Sequence, residues 1–166
     1  MPLISSESLA IVQATAPAVA ANVSQITAVF YPKMFRNNPE VMEFFNRANQ
    51  ESGRQPRALA DSIIAYVTNI ERLEALGDAV ERIAAKHCAL NVKAEHYAIV
   101  HDNLLAAVAE VLGDAITPQV AAAWSEAVMA LAKILIAREA QLYQETAAKE
   151  GGWLGKREFV IKSITH

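Results

Sequence analysis

Residues 80–88 read VERIAAKHC, and the interpretation of the whole chain depends on this stretch. Its apolar residues Val80, Ile83 and Ala84 recur at helical spacing. His87 takes the next position of the same stripe, which places its imidazole on the buried face of a helix. A buried imidazole is costly unless its nitrogens find partners. An iron on one nitrogen and a hydrogen-bond acceptor on the other would satisfy both; a core histidine bonded to a backbone carbonyl is the ordinary alternative.

The composition of the chain predicts a single all-α domain. Its 166 residues suit one domain, and 53% of them are hydrophobic, enough to bury a substantial core. Only six glycines and six prolines interrupt long stretches of good helix formers. Almost no segment before Gly151 alternates in the manner of a strand.

Several classes of protein are disfavoured by charge and composition. The net charge is −3 and no stretch gathers lysines and arginines, which argues against a nucleic-acid partner. The single cysteine, Cys88, excludes an internal disulfide and fits a reducing compartment. The N-terminus has no basic segment typical of a signal peptide. The longest apolar run, residues 127–137, is interrupted by Lys133 and is shorter than the roughly 20 residues of a membrane span. We therefore expect a soluble cytoplasmic protein.

Caps, glycines and prolines divide the chain into six or seven predicted helices. Ser5 or Ser6 would cap the first helix, Ser24 the second, Asp78 the helix that carries His87, and Thr117 the last. The predicted helices cover about residues 6–21, 24–36, 40–45, 56–73, 78–89, 94–112 and 118–149. The polar stretch 46–55 is predicted to be a loop. Periodicity does not fix the packing, and an antiparallel bundle satisfies the same pattern.

In the first half of the chain, the sequence pattern places two polar residues on the inward faces of two different helices. Tyr31 lies one turn after Thr27 on the apolar face of the second helix. Its ordinary role would be that of a core tyrosine with its hydroxyl on a backbone carbonyl. Gln55 lies one turn before Leu59, and its ordinary role would be an exposed or capping residue beside Pro56.

Two more polar residues follow the same pattern in the second half. Tyr97 begins the apolar stripe of its helix and by itself would be a half-buried aromatic residue. Glu139 continues the row of Trp124 and Leu135 on the last helix. A carboxylate in that row must be paired, hydrogen-bonded or protonated, unless the helix is rotated so that Arg138 and Glu139 both lie at the rim.

Other site chemistries are weakly represented. The chain has no glycine-rich phosphate loop, no HExxH motif and no cysteine pair for zinc. Lys86 and Cys88 by themselves fit a solvated lysine and a small core residue.

The order of motifs resembles the globin domain of bacterial flavohaemoglobins and their single-domain relatives. The resemblance covers about residues 9–143. Its elements are Phe30-Tyr31, Phe45-Asn46, Gln55-Pro56-x-x-Leu59, Lys86-His87, His96-Tyr97-x-Ile99-Val100, Trp124 and Arg138-Glu139-Ala140.

This resemblance implies a globin fold, with helices crossing at about 50°, around a b-type haem. His87 would be the proximal iron ligand, with Tyr97 and Glu139 bonded around its other nitrogen. Phe45 would pack against the porphyrin. The distal side, where gases bind, would be formed by Tyr31, Gln55 and Leu59. Tyr31 would hydrogen-bond dioxygen with support from Gln55. Lys86 would lie near the haem edge, facing a reductase.

The resemblance also implies a function. Residues 1–150 would be the haem domain of a nitric oxide dioxygenase, with O2, NO and CO as haem ligands. Residues 151–166 resemble the hinge and first strand of a reductase domain, whose FAD and NAD(P)H sites this chain lacks. Electrons would then come from an external or missing reductase. A lone haemoglobin that binds or delivers dioxygen is the alternative, and the distal cavity could also hold a lipid.

Overall fold

The computed structural model describes residues 3–163. In that range it contains seven α-helices, three 3-10 helices and no strand. The α-helices are α1 (Ser6–Ala21), α2 (Val23–Asn37), α3 (Arg47–Glu51), α4 (Arg54–Thr68), α5 (Gly77–Ala89), α6 (His96–Leu112) and α7 (Pro118–Ala148). The 3-10 helices cover Pro39–Phe44, Leu73–Leu76 and Gly113–Ala115. The predicted all-α class is confirmed.

Two predicted helix starts are confirmed by their caps. The Ser5 hydroxyl accepts a hydrogen bond from the Ser8 N–H at 3.2 Å, and the Thr117 hydroxyl accepts one from the Val120 N–H at 3.3 Å. In each case the side chain satisfies one of the N–H groups that a first turn leaves without an intrahelical partner. Pro118, which follows Thr117, needs no such partner at the first helical position.

Two other predicted caps are wrong. The second helix begins at Val23, because a single residue, Asn22, separates it from α1 and leaves no room for a cap at Ser24. The Leu73–Leu76 3-10 helix runs directly into α5, which therefore begins at Gly77 without a side-chain cap from Asp78.

The predicted loop over residues 46–55 is also wrong, because it contains the one-turn helix α3. The Asn46 side-chain oxygen accepts hydrogen bonds from the N–H groups of Ala48 at 2.8 Å and Asn49 at 3.3 Å. Gly53 then turns the chain with a φ of 72°, in the left-handed region that favours glycine. Helix α4 consequently starts at Arg54, and it ends at Thr68, well before the predicted residue 73.

The helices cross one another around a common core. Helix α2 packs against α6 and α4, while α1 and α5 both pack against α7. The axes of the consecutive helices α1 and α2 differ by 84°, which is incompatible with a simple antiparallel bundle. The largest side chains that are fully buried come from α1 and α2: Phe30, Ile26, Met34, Val12 and Val19.

Helix α5 has few neighbours. Among the long helices it packs extensively only against α7, and within residues 3–163 no comparable contact joins it to α4. The Arg138 guanidinium of α7 donates two hydrogen bonds to the Glu81 carboxylate of α5, which holds the two helices together at the rim. Helix α5 is thus separated from the helix that carries Gln55 and Leu59.

By length and composition alone, helix α7 could cross a membrane. Helices α1 and α2 together meet the same criterion if they are counted as one bent span. The predicted apolar run of residues 127–137 is only part of this 31-residue helix. The apolar residues of α7 also have a place in the core, because α7 packs against α1, α5 and α6. Core helices pass the same test.

The segment after α7 is extended and exposed. No strand forms in residues 151–163, as expected of a strand that lacks a partner. The Lys156 ammonium lies 2.9 Å from the Glu43 carboxylate. The rings of Trp153 and Phe159 are 5.5 Å apart, with the Arg157 guanidinium over both. The last three residues of the predicted hinge and strand, 164–166, lie outside the described residues.

Candidate functional site

Three helices bring His87, Tyr97 and Glu139 together. The His87 Nδ1 atom lies 2.8 Å from Glu139 Oε1 and 3.0 Å from the Tyr97 hydroxyl. The Tyr97 hydroxyl donates a hydrogen bond of 2.6 Å to the same Glu139 oxygen. We call these three residues the proximal triad. Its members come from α5, α6 and α7, so the packing of these helices fixes their meeting point.

The hydrogen bonds define which nitrogen of His87 carries a proton. Burial, and then the hydrogen bond to Glu139, raise the pKa of Tyr97 well above its usual range, so its hydroxyl stays protonated and donates to Glu139. A carboxylate only accepts, so the adjacent His87 Nδ1 must be the donor. In a neutral imidazole the Nε2 atom then keeps its lone pair. That nitrogen has no hydrogen-bond partner within residues 3–163.

Glu139 is an inward-facing carboxylate, with only 3% of the residue exposed. Its neighbour Arg138 occupies the rim, where it pairs with Glu81 and Glu145. The alternative in which both residues lie at the rim is therefore wrong for Glu139. Two hydrogen bonds compensate the cost of burying this carboxylate.

Two further groups lie behind the proximal triad. The Cys88 sulfur lies 3.7 Å from the Glu139 carbonyl oxygen, and burial followed by the charge of Glu139 raises the pKa of its thiol. Tyr143 donates to the Val92 carbonyl, and burial raises its pKa to about 12. Tyr143 borders a cavity of about 180 Å³ together with Glu139. The sequence analysis missed Tyr143, although its position one turn after Glu139 was a usable signal.

Tyr31, a residue of α2, lies among aromatic side chains. It is 6% exposed, and its ring centroid lies 4.9 Å from that of Phe30 and 5.7 Å from that of Phe45. Its hydroxyl reaches the Gln55 carbonyl oxygen at 3.5 Å, a long contact that fits the ordinary alternative of a core tyrosine. Burial raises the pKa of Tyr31 well above its usual range, so the hydroxyl remains a donor.

Gln55 and Leu59 are half-buried at the start of α4. The Gln55 side-chain oxygen accepts a hydrogen bond of 3.0 Å from the Gln50 amide. Leu59, one turn later, packs against the edge of the core, as Phe45 does. The sequence analysis missed Gln50, because it treated the whole stretch as a loop. The signal was Asn46, a preferred helix cap.

Lys86 is exposed, although it is adjacent to His87. In the described part of the chain its ammonium group forms no salt bridge. Its side chain is therefore available to a partner on the surface of α5.

The chemistry of these donors fits a haem. No group of three or more potential ligands among His, Cys, Asp and Glu is present in the described residues. A metal bound by His87 Nε2 would therefore need to bring its other ligands with it, as a porphyrin does. Half-buried apolar residues on the helices around the separation between α4 and α5 would suit its faces: Leu59, Ile63, Ile83, Ile99 and Val100.

Crossing helices around a histidine held by a buried acid define a haem-binding domain of the globin type. The chain belongs to the globin family, whose profile, described as Globin, matches residues 28–135. Globin domains bind haem, and the chemistry of His87 Nε2 fits that of a haem ligand.

Known relatives agree with this assignment. A flavohemoprotein of Rhodopirellula baltica is 50% identical over 159 residues, which are 96% of this chain and 39% of that protein. A flavohemoglobin structure from Malassezia yamatoensis with bound FAD and haem has a TM-score of 0.79 and 35% identity. That match covers 85% of this chain and 38% of the other. This chain thus spans about two fifths of the flavohemoproteins to which it is similar.

A third relative is of similar size to this chain. It is an engineered carbene transferase made from a Rhodothermus marinus protein that is provisionally assigned as a nitric oxide dioxygenase. The match has a TM-score of 0.81 and 33% identity, and it covers 87% of this chain and 99% of the other.

Proposed function

We propose that this chain is the haem half of a nitric oxide dioxygenase, and that its haem is of the b type. The observation that carries the proposal is the buried Glu139 carboxylate on the His87 imidazole, at 2.8 Å. Haem, when bound, would supply the redox-active iron and the one electron needed to convert nitric oxide and dioxygen into nitrate. The names of the flavohemoprotein relatives and of the Rhodothermus marinus protein support the same class of reaction.

The proximal triad tunes the ligand nitrogen. Glu139 accepts the Nδ1 proton of His87 in a strong, charge-assisted hydrogen bond, which gives the imidazole partial anionic character. Electron density at Nε2 rises as a result, and this favours activation of dioxygen over its reversible storage. Tyr97 donates to the same carboxylate oxygen and holds it beside Nδ1.

The distal side would stabilise the charge that develops on dioxygen. Tyr31 keeps its proton, and its hydroxyl needs only to leave a 3.5 Å contact with the Gln55 carbonyl in order to donate to a ligand. Gln55 and Leu59 would line this side, and Phe45 would pack against the flat face of the macrocycle. The half-buried positions of these three residues suit groups that a cofactor covers.

Sustained turnover would need a reductase. We propose that residues 1–150 form the globin domain, and that residues 151–166 are the hinge and first strand of an FAD-binding and NAD(P)H-binding domain. The exposed apolar side chains of Phe159, Val160 and Ile161 support this, because they have no cover within the described residues. Lys86, exposed beside His87, would face the reductase.

Rapid mixing of the oxygenated, haem-loaded chain with nitric oxide tests the proposal. We expect one equivalent of nitrate per haem and then no further turnover, because this chain brings no source of electrons. Added flavohemoprotein reductase and NADH should restore turnover. Release of dioxygen without nitrate would contradict the proposal, and so would many turnovers without a reductant.

A lone dioxygen-binding haemoglobin is the second candidate. A bacterial globin structure from Campylobacter jejuni favours it, because the match, at 37% identity, covers 84% of this chain and 99% of that one. CO would bind in either case, and a lipid could occupy the distal side. Slow nitrate formation together with fast, reversible dioxygen binding would select this candidate.

A further inference from the structure

The proposed function leaves one polar contact on the distal side without a role. The side-chain nitrogen of Gln50, on α3, donates a hydrogen bond of 3.0 Å to the side-chain oxygen of Gln55. Both residues are half-buried. The contact joins Gln50, to which the proposed function gives no role, to Gln55, which would line the ligand site.

The contact gives the Gln55 amide a direction. The oxygen of a carboxamide accepts hydrogen bonds, and its nitrogen carries two N–H donors. Since Oε1 of Gln55 faces Gln50, Nε2 faces away from it. Nε2 has no hydrogen-bond partner within residues 3–163, and no buried side-chain nitrogen or oxygen there lacks one. Nε2 therefore opens onto accessible space as a donor.

The backbone around Gln50 is fixed by local structure. Its N–H donates to the Asn46 carbonyl at 3.1 Å, and its carbonyl accepts from the Gly53 N–H at 3.2 Å. Asn46 caps this helix and directly follows Phe45, whose ring packs edge-on against Tyr31. Helix α3 thus ties the direction of the Gln55 amide to the aromatic wall of the distal side.

We infer that Gln50 is a positioning residue, which orients Gln55 so that its N–H groups and not its carbonyl face the ligand beside Tyr31. The inference rests on the proposed function, because it takes Gln55 to line the dioxygen site. Two donors and no acceptor favour a ligand that gains negative charge, such as dioxygen, over a nearly neutral one such as CO.

Reversing the Gln50 contact tests the inference. In Gln50→Glu the new carboxylate can only accept hydrogen bonds. It should therefore accept one from the side-chain N–H of Gln55 and turn the side-chain carbonyl of Gln55 toward the ligand. We expect dioxygen release to become about tenfold faster. CO release should change far less, and the C–O stretching frequency of the CO complex should rise. Gln50→Leu should fall between Gln50→Glu and the unmodified chain.

Two comparisons separate orientation from a general disturbance. Ala48→Glu adds the same charge to an exposed position of α3 and should leave dioxygen release unchanged. In a Gln55→Leu background, Gln50→Glu should have no further effect, because the group through which it acts is gone. An equal effect of Gln50→Glu with and without Gln55 would overturn the inference.

A measurement without dioxygen tests the contact itself. Urea unfolding of the unmodified chain, Gln50→Leu, Gln55→Leu and the double variant should show a favourable coupling between the two side chains. Zero coupling overturns the inference, as does an unchanged C–O stretch in Gln50→Glu. The proposed function fails separately, when the unmodified chain forms no nitrate from nitric oxide although this coupling is present.

Discussion

In the proximal triad three polar side chains contact one another at 2.6 to 3.0 Å, whereas the hydroxyl of Tyr31, which we propose to lie on the distal side, reaches its partner only at 3.5 Å. The proximal contacts include a buried charge and join three helices. On the distal side, aromatic packing and a weak contact leave the donor available. The proximal triad therefore holds one geometry, and on the proposed distal side the Tyr31 hydroxyl could exchange a weak internal contact for a ligand.

Removal of His87 should break the proximal side completely. We expect His87→Ala to weaken haem retention by more than about 100-fold, because the substitution removes the proposed ligand nitrogen Nε2. Haem titration followed at the Soret band measures this. The matched control is His101→Ala, which removes a half-buried histidine that bonds Ser125 on the neighbouring helix α7 and Asp102 beside it on α6. Equal haem loss in both variants would refute the assignment of His87.

Removal of the Tyr31 hydroxyl should affect the distal side alone. We expect Tyr31→Phe to speed dioxygen release by about 10-fold to 100-fold, as for a hydrogen bond to a charged group. Haem retention should not change. Flash photolysis or stopped-flow displacement by CO measures the rate, and an unchanged rate would remove Tyr31 from this role.

Neutralising Glu139 should weaken the proximal tuning without removing the ligand. Glu139→Gln keeps the size of the side chain but loses the charge, so the imidazole becomes less anionic. We expect a higher reduction potential, a lower iron–histidine stretching frequency, and nitrate formation slower by about 10-fold. The control is Glu145→Gln, an exposed acid on the same helix. A frequency that does not shift in Glu139→Gln would contradict the role given to the carboxylate.

Tyr66 provides a reference hydroxyl that belongs neither to the proximal triad nor to the proposed distal side. It donates to the Ala127 carbonyl at 2.7 Å, so Tyr66→Phe should cost about 1 kcal/mol of unfolding free energy and leave dioxygen release unchanged. Burial raises its pKa from 10.0 to about 12. The unfolded chain therefore loses this proton first as pH rises, and the stability from Tyr66 is present below pH 10 and lost toward pH 12. The urea concentration at the midpoint of unfolding should fall less between pH 9 and pH 11 in Tyr66→Phe than in the unmodified chain.

The sequence predicted the elements of the fold better than their meeting points. Helical spacing placed His87 and Glu139 on inward faces, because each helix has a regular apolar stripe. Periodicity contains no information on which stripes face each other, so the proximal triad required the resemblance to a family. Gln50 escaped because a one-turn helix is too short for a periodic pattern. The Ser24 and Asp78 caps failed because neighbouring segments adjoin those helices directly.

The isolation of α5 has a thermodynamic consequence. An element that packs against one long neighbour has a low free energy of local opening, so its amides should exchange with solvent sooner than those of α2 or α6. With His87 as the proposed ligand, haem would bind only when α5 is closed, and it should therefore protect those amides in proportion to its affinity. Cofactor uptake and the final ordering of α5 then become one coupled equilibrium, and mutations far from the iron that loosen α5 lower haem occupancy.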